Sequence, residues 1–324
     1  MKKFLSYIAI FFAVAALLLF IYGQFCEKFF LERKYFPTES RRSWAMKQYK
    51  GQYDYAVLGS SRAEGAFDMK LLDSITQKNG INISSNGSGF VDNFLVLHKF
   101  LENKNTIKTL YLQVDNYSLD PEGNFSNAFH VFNFLPFWKD SIYQNAILHY
   151  LPKKDQILFK NFPWMRFYVY NKYFSPFEVS RRILMSRRKE KKRADQLLIS
   201  TTIKPEKVGD SSRFFFKNNT NRFRVNQFDV EYMEKIFSLA KENNIEIKCF
   251  TAPDFYAQKS RFSNYAETEK ILLHILDKNK INYYPSNFTD VESSDLIYFK
   301  DPEHLNRYGV RLHTTRFSQI ITNK

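Results

Sequence analysis

Two polar segments, far apart in the sequence, carry residue types that together can activate a hydroxyl group. Near the C-terminus the chain reads DPEHLN from Asp301 to Asn306, so that an aspartate precedes His304 by three residues. An aspartate in this position can accept a hydrogen bond from the imidazole and fix its tautomer, which leaves the other ring nitrogen to remove a proton from a nucleophile. His304 is therefore the predicted general base.

The second segment, Gly59-Ser60-Ser61-Arg62, directly follows a predicted strand. A strand followed by Gly-x-Ser and a helix exposes a hydroxyl group at the edge of a sheet, where backbone N–H groups can stabilise an oxyanion. The alternative is an ordinary serine-rich turn, because glycine and serine are common turn formers. The next predicted strand also ends in a turn rich in glycine, asparagine and serine, from Asn82 to Gly89, which is expected to bring a further N–H group to the same edge.

The sequence contains no cofactor signature. The glycine-rich turns lack the lysine of a P-loop and the G-x-G-x-x-G spacing of a dinucleotide site. No two histidines have metal-ligand spacing, and the two cysteines, Cys26 and Cys249, are too few for a disulfide framework or a thiolate site. We expect no cofactor and no metal, so side chains alone would carry out any reaction.

Strand and helix patterns alternate on both sides of a long central stretch. The predicted strands are 53–58, 81–84, 107–114, 245–251 and 281–284, and the predicted helices are 69–78, 92–101, 230–241, 264–276 and one from about 306. Asp68 and Asp92 are the expected N-caps of the first two helices. This order predicts a doubly wound α/β fold with a mostly parallel sheet, in which ligands bind at the carboxyl ends of the strands.

The N-terminus carries an apolar segment. Residues 4–23 form an uncharged run of twenty, about the length needed to cross a bilayer as a helix. With Lys2 and Lys3 in the cytoplasm, the rest of the chain would lie outside. A cleaved signal peptide and lipid attachment at Cys26 are the alternatives, and the large residues from Phe20 to Phe25 argue against both.

We therefore divide the chain into a transmembrane anchor (1–25), a juxtamembrane stalk (26–50) and an α/β domain (51–324) with an insertion at about 120–226. Seventeen aromatic residues lie between Phe125 and Phe177 inside this insertion. Such residues most often form a satellite core, and the alternative is a platform on which sugar rings or acyl chains pack.

The chain is strongly basic, with a formal net charge of +15. Eight basic residues fall in the thirteen from Arg181 to Arg193. The stretch is either a solvated helix face or a contact for anionic lipid headgroups or an anionic glycan. Nucleic acid is not an expected partner, because the aromatic residues lie upstream of the charges and are not interleaved with them.

The ordered set of GSSR, a glycine turn and DPEHLN resembles the SGNH, or GDSL-type, hydrolase family. That resemblance implies a flavodoxin-like three-layer α/β/α fold and a Ser-His-Asp triad. It makes Ser61 the nucleophile, assisted by His304 and Asp301, and it makes Gly87 the oxyanion glycine.

The chain departs from the family pattern at two positions. Ser60 replaces the usual aspartate, and Val114-Asp115-Asn116 stands where the family has Gly-x-Asn-Asp, so Asn116 is the nearest candidate for the oxyanion asparagine. Arg62 either binds an anionic substrate group or supports the loop. In these respects the chain is similar to a membrane-anchored subgroup, which includes the D-alanyl transfer protein of teichoic-acid modification and the alginate O-acetylases.

The resemblance implies an acyl-serine intermediate that passes to water in an esterase or to a sugar hydroxyl in an O-acyltransferase. The expected setting is the outer face of a bacterial cytoplasmic membrane, with membrane lipid around the N-terminal helix. The expected partners are an acylated glycan or envelope polymer and a membrane acyl-donor protein. The alternative is a noncatalytic anchored scaffold that holds an envelope glycan or a membrane partner.

Overall fold

The structure, a computed structural model, describes residues 2–32, 45–119, 134–166, 222–286 and 295–322. The basic stretch 181–193 and most of the predicted insertion lie outside these residues. The contacts divide the chain into two compact units, Met1–Glu39 with Ser126–Glu190 and Ser40–Phe125 with Lys191–Lys324. Each unit is treated by itself.

The second unit contains a parallel sheet of five strands in the order β2-β1-β3-β4-β5. The strands are β1 (Gln52–Leu58), β2 (Gly80–Asn82), β3 (Thr106–Gln113), β4 (Glu246–Phe250) and β5 (Asn282–Tyr284). A small antiparallel pair, β6 (Phe299–Asp301) and β7 (His304–Leu305), follows near the C-terminus. The predicted α/β fold with a parallel sheet is confirmed.

Helices connect the strands and flank the sheet. In chain order the described α-helices include α1 (Lys2–Glu32), α2 (Ser61–Ala66), α3 (Met69–Thr76), α4 (Phe90–Glu102), α5 (Ser141–Tyr150), α6 (Lys153–Asn161), α7 (Gln227–Glu242), α8 (Tyr265–Lys278) and α9 (Arg307–Thr322). Asp68 caps α3 by accepting a hydrogen bond from the Leu71 amide, as expected. Asp92 does not cap α4: the helix begins two residues earlier, with Gly89 as its N-cap, and Asp92 accepts from the Gly89 amide.

One face of the sheet is covered by α2, α3 and α9. Side chains of these helices share an apolar core with alternate residues of the strands, which include Tyr55, Val57, Tyr111 and Phe250. Phe67, directly after α2, lies fully buried against the rings of Phe250, His313 and Phe317. Burial of an aromatic side chain of this kind contributes about 1.5–3 kcal/mol to folding stability. The packing of Phe67 therefore fixes the segment that carries Ser61 against this face of the sheet.

The remaining strand residues point to the opposite face of the sheet, because successive residues of a strand alternate between its two sides. Helices α4 and α7 cover that face. These two helices pack against each other, and the rings of Phe94 and Tyr232 lie 5.3 Å apart. Because helices cover both faces of the sheet, the carboxyl edge of the strands is where a ligand can bind.

The first unit combines α1 with residues 134–166. Within α1, Lys3–Phe25 is long and apolar enough to cross a membrane, and the helix runs on to Glu32, past the boundary at residue 25 that the sequence suggested. Aromatic residues of 134–166 form a small core of their own, in which the Trp138 and Phe159 rings lie 4.7 Å apart.

Candidate active site

Ser61 is the first residue of α2, three residues after β1 ends at Leu58. Gly59 makes this turn possible, because a Cβ atom there would lie 2.6 Å from Gln113 and 2.8 Å from Ala63. Ser60 is the N-cap, and its hydroxyl accepts a hydrogen bond from the Arg62 amide at 3.3 Å. The local sequence thus presents the Ser61 hydroxyl at the carboxyl edge of the sheet.

The structure brings the three predicted catalytic side chains together. Nε2 of His304 lies 2.9 Å from Oγ of Ser61, across a sequence separation of 243 residues. Nδ1 of His304 lies 2.8 Å from Oδ1 of Asp301. In this arrangement the imidazole is held by a carboxylate on one side and faces a hydroxyl on the other, which is the geometry that activates a serine.

The β6–β7 pair sets the distance between Asp301 and His304. The two residues are cross-strand partners on either side of the turn Pro302-Glu303, and the Glu303 amide donates to Oδ1 of Asp301 at 3.0 Å. Asn306 anchors the pair, since its side chain donates to the Ile297 carbonyl and accepts from the Tyr308 amide.

Asp301 is ionised at neutral pH in this setting. Burial raises the pKa of its carboxyl, but the hydrogen bond and charge of His304 and the Glu303 amide oppose that effect, and the pKa is lowered overall. A carboxylate here favours the protonated imidazole that forms when Ser61 gives up its proton.

Gly87 lies in the turn after β2, which is tied to the Ser61 turn. The Ser85 amide donates to the Gly59 carbonyl at 3.1 Å, and the Asn86 amide donates to the Glu64 carboxylate at 2.8 Å. Gly87 is buried and has a φ of 73°, a left-handed conformation that glycine adopts without strain. Among the described residues, the N–H groups of Ser61 and Gly87 have no hydrogen-bond partner.

Arg62 points into the protein and not toward solvent. Its side chain is 5% exposed, and its guanidinium donates to the Asp115 carboxylate at 2.6 Å and to the Ala252 carbonyl. A second carboxylate, that of Asp254, lies 3.5 Å away. These contacts favour the supporting role of Arg62 over the substrate-binding role.

Asn116 begins a short 3-10 helix after β3 and is 3% exposed. Its side-chain amide donates to the Tyr265 carbonyl at 3.0 Å, so one of its two amide hydrogens is already bound. The neighbouring Asp115 both caps this helix, by accepting from the Ser118 amide, and orients Arg62.

Comparisons with known proteins add little at the level of sequence. No family model matches the chain, and no curated protein matches it. Among solved structures, a "putative acylhydrolase" from Bacteroides fragilis is similar to it, with 11% identity and a TM-score of 0.41 over 86% of this chain and 88% of that chain. A likeness at this level carries no argument about activity, which has to rest on side-chain geometry.

Two residues of the site, Gln113 and Asp254, are absent from the sequence prediction. Oε1 of Gln113 accepts from the amides of Ser60 and Ala63 and from the Ser60 hydroxyl, and its amide donates to Asp115 at 2.5 Å. Gln113 thereby fixes the turn that presents Ser61. The available signal was a polar residue directly after the apolar run Leu110-Tyr111-Leu112 at the end of the central strand.

The Ser61 and His304 segments are also joined through the loop after β4. Arg62 binds the Ala252 carbonyl, and three residues later the Phe255 amide donates to the Pro302 carbonyl at 2.9 Å. We call residues 252–255 the bridge segment. Since Arg62 adjoins Ser61 and Pro302 lies in the turn before His304, the bridge segment links the segments that carry Ser61 and His304.

A cavity of about 100 Å³ lies on the α9 side of the β4 and β5 ends. None of Ser61, Asp301 and His304 lines it, and its volume is well below that of usual ligand pockets. We do not assign it to the substrate. Within the described part of the chain, no group of three His, Cys, Asp or Glu side chains is arranged to hold a metal ion.

Asp254 should make folding stability depend on pH. Burial raises the pKa of its carboxyl to about 7, and the charges of Asp115 and Glu303 add to this while Arg62 opposes it. The folded chain then binds one more proton than the unfolded chain between about pH 4 and 7. Stability is therefore highest below pH 4 for this group and falls by roughly 3–5 kcal/mol as pH rises to 8.

The replacement Asp254→Asn should remove this loss, so that the variant melts above the wild type at pH 8 and near it at pH 5. Unfolding can be followed through Cys249, which is buried in β4 and reacts with dithiodipyridine only when the second unit opens, in a Cys26→Ser background. Asp277→Asn, on the exposed side of α8, is the matched control and should leave the pH dependence unchanged. An equal pH dependence in Asp254→Asn and the wild type would contradict the prediction.

Proposed function

We propose that the chain is a membrane-anchored serine esterase or O-acyltransferase of the SGNH type. The observation that carries the proposal is the continuous hydrogen-bonded series from Ser61 through His304 to Asp301. Two open N–H groups at the same sheet edge, those of Ser61 and Gly87, support it.

The mechanism has two acyl-transfer steps. His304 takes the proton of the Ser61 hydroxyl through Nε2 while Oγ attacks the ester carbonyl, and Asp301 stabilises the imidazolium. The Ser61 and Gly87 N–H groups hold the oxyanion, with the remaining amide hydrogen of Asn116 as a third candidate donor. The intermediate then collapses: His304 returns the proton to the departing alkoxide, and the acyl group stays on Ser61.

The second step decides between esterase and transferase. Water or a sugar hydroxyl gives a proton to His304 and attacks the acyl-serine, and His304 then returns the proton to Ser61. The same side chains serve both outcomes, because they act on the acyl group and not on the acceptor.

The proposed substrate class rests on the expected location. The apolar span Lys3–Phe25 would anchor the chain in a bacterial cytoplasmic membrane, with the second unit on the extracytoplasmic side. An acylated glycan or envelope polymer on that side of the membrane is the substrate that we propose. A transferase would also need a membrane protein that donates the acyl group.

Covalent labelling tests the proposal directly. A fluorophosphonate reacts with an activated serine by forming a P–O bond to Oγ and losing fluoride, so digestion and mass spectrometry should place the adduct on Ser61. Ser61→Ala should lose the label, whereas the matched variant Ser238→Ala, on the exposed face of α7, should keep it. A folded wild type that takes no label would instead indicate a noncatalytic scaffold.

A further inference from the structure

The outer face of α6 is a basic surface with an exposed apolar centre. Ile157 is 60% exposed, and the exposed lysines at positions 153, 154 and 160 lie one helical turn before and after it. Phe162, directly after the helix, is 42% exposed. The one acidic residue between 152 and 166 is Asp155, which is buried. We call this surface, Ile157 and Phe162 with the three lysines, the α6 face.

The α6 face is continuous with the end of the apolar helix. The Trp164 ring lies 6.4 Å from that of Phe162 and 5.9 Å from that of Phe20. The Trp164 backbone approaches Gly23 so closely that a Cβ atom there would lie 2.3 Å from its carbonyl oxygen. Phe20 and Gly23 belong to the last turns of the apolar span Lys3–Phe25, so Trp164 and Phe162 lie at the level where that span ends.

An ion pair fixes this arrangement just beyond the span. Arg166 pairs with Glu27, with side chains that are 8% and 12% exposed. Arg166 also donates to the Phe159 carbonyl at 2.7 Å and stacks over the Trp138 ring at 4.5 Å. Residues 153–166 are thus attached to α1 through a buried charge pair and packed rings, and not by a flexible link.

We propose that the α6 face lies in the interface of the bilayer that α1 spans, with Ile157 and Phe162 among the upper acyl chains and the three lysines on anionic lipid headgroups. Tryptophan favours this depth of a membrane, and phenylalanine is common on the apolar face of interfacial helices. Lysine side chains bury their methylene stems along apolar surface and keep the ammonium group in water or on phosphate. An amphipathic helix with lysines around an apolar centre is the pattern of interfacial segments.

The continuity with the apolar span selects lipid as the occupant. Trp164 packs on Phe20 in the last turns of the spanning helix, and Phe162 packs on Trp164. Both side chains therefore lie near the lipid headgroups when α1 spans the bilayer. The inference rests on the proposed membrane anchor and is independent of the proposed chemistry at Ser61. It would hold the first unit against the membrane surface at a second point besides α1.

Depth-dependent fluorescence quenching tests the proposal on the full chain. One cysteine at a time, from Ile157→Cys, Phe162→Cys, Phe12→Cys or Ile75→Cys, would carry the NBD fluorophore in a Cys26→Ser/Cys249→Ala background. The chain is reconstituted in liposomes of phosphatidylcholine and phosphatidylglycerol that contain lipids with a nitroxide near the headgroup or deep in the acyl chain. Phe12 reports the span, and Ile75, an exposed apolar residue of α3 in the second unit, is the matched control.

The labels at 157 and 162 should show blue-shifted emission and stronger quenching by the shallow nitroxide than by the deep one, and more quenching than the label at 75. Emission like that in water at 157 and 162, with deep quenching at 12, would overturn the proposal and leave the anchor standing. Blue-shifted but unquenched labels would also overturn it, because a protein and not lipid would then cover the face. No quenching at 12 would remove the anchor and the proposal together, while ester turnover would still report on Ser61.

Removal of the positive charges tests whether the three lysines contact lipid headgroups. Changing all three lysines of the α6 face to glutamine should reduce the shallow quenching at 157, and so should liposomes of phosphatidylcholine alone. A control triple should leave the quenching unchanged; it consists of the exposed lysines of the second unit at positions 70, 104 and 270. Equal shallow quenching of the label at 157 in the two triple variants would show that the lysines of the α6 face do not contact the headgroups.

Discussion

Ser61→Ala and His304→Ala should each lower kcat for an acetyl-ester reporter by roughly 10⁴- to 10⁶-fold. The two side chains share one proton along a 2.9 Å contact, so neither can form the nucleophile without the other. The double variant should therefore be no slower than either single variant. Initial rates for the three purified proteins, measured in detergent at saturating ester, check this expectation.

Asp301→Asn should lower kcat by about 10⁴-fold, because it leaves the nucleophile in place but removes the charge that stabilises the imidazolium and no longer fixes the tautomer of His304. The matched control is His98→Ala: His98 lies on α4 and takes no part in the Ser61 hydrogen bonds. Multiplied losses in the double variant, or an active Ser61→Ala, would show that the three side chains do not act as one unit.

The sheet and the contacts among Ser61, His304 and Asp301 are predictable from the sequence because each depends on a strong local signal. Alternating strand and helix patterns identify the parallel sheet, and the carboxyl edge of such a sheet is where Ser61 and the turn with Gly87 must meet. The D-x-x-H spacing places Asp301 across a tight turn from His304, and the observed β6–β7 register pairs those two residues.

The supporting residues are not predictable in the same way. Gln113, Asp254 and the bridge segment act mainly through contacts between residues 47 to 192 positions apart, and no spacing in the sequence records such contacts. Asp92 shows the local limit: its side chain can bond the backbone from the N-cap or from the third helical position, and Gly89 permitted the earlier start. The role of Arg62 was open for the same reason, since burial decides it and burial is a property of the fold.

Arg62→Met should destabilise the second unit by about 3 kcal/mol, because it leaves the Asp115 carboxylate buried without its cation. Asp254 adds less to the loss: burial already raises the pKa of its carboxyl to about 7, and removal of Arg62 raises the pKa further, so this group becomes neutral at pH 7. The variant should melt roughly 6–12 °C below the wild type, measured as the temperature at which Cys249 reacts.

Two further variants separate the buried charge from lost packing. Arg62→Met/Asp115→Asn should recover part of the melting temperature, because both the cation and its uncompensated partner are then gone. Lys108→Met removes the cation of a surface pair with Asp54, in which the lysine side chain is 80% exposed, and should cost less than about 1 kcal/mol. If Arg62→Met melts like Lys108→Met, Arg62 does not support the fold. If Arg62→Met is destabilised as expected and also loses ester turnover below its melting temperature, the bridge segment holds Ser61 and His304 in register through Arg62.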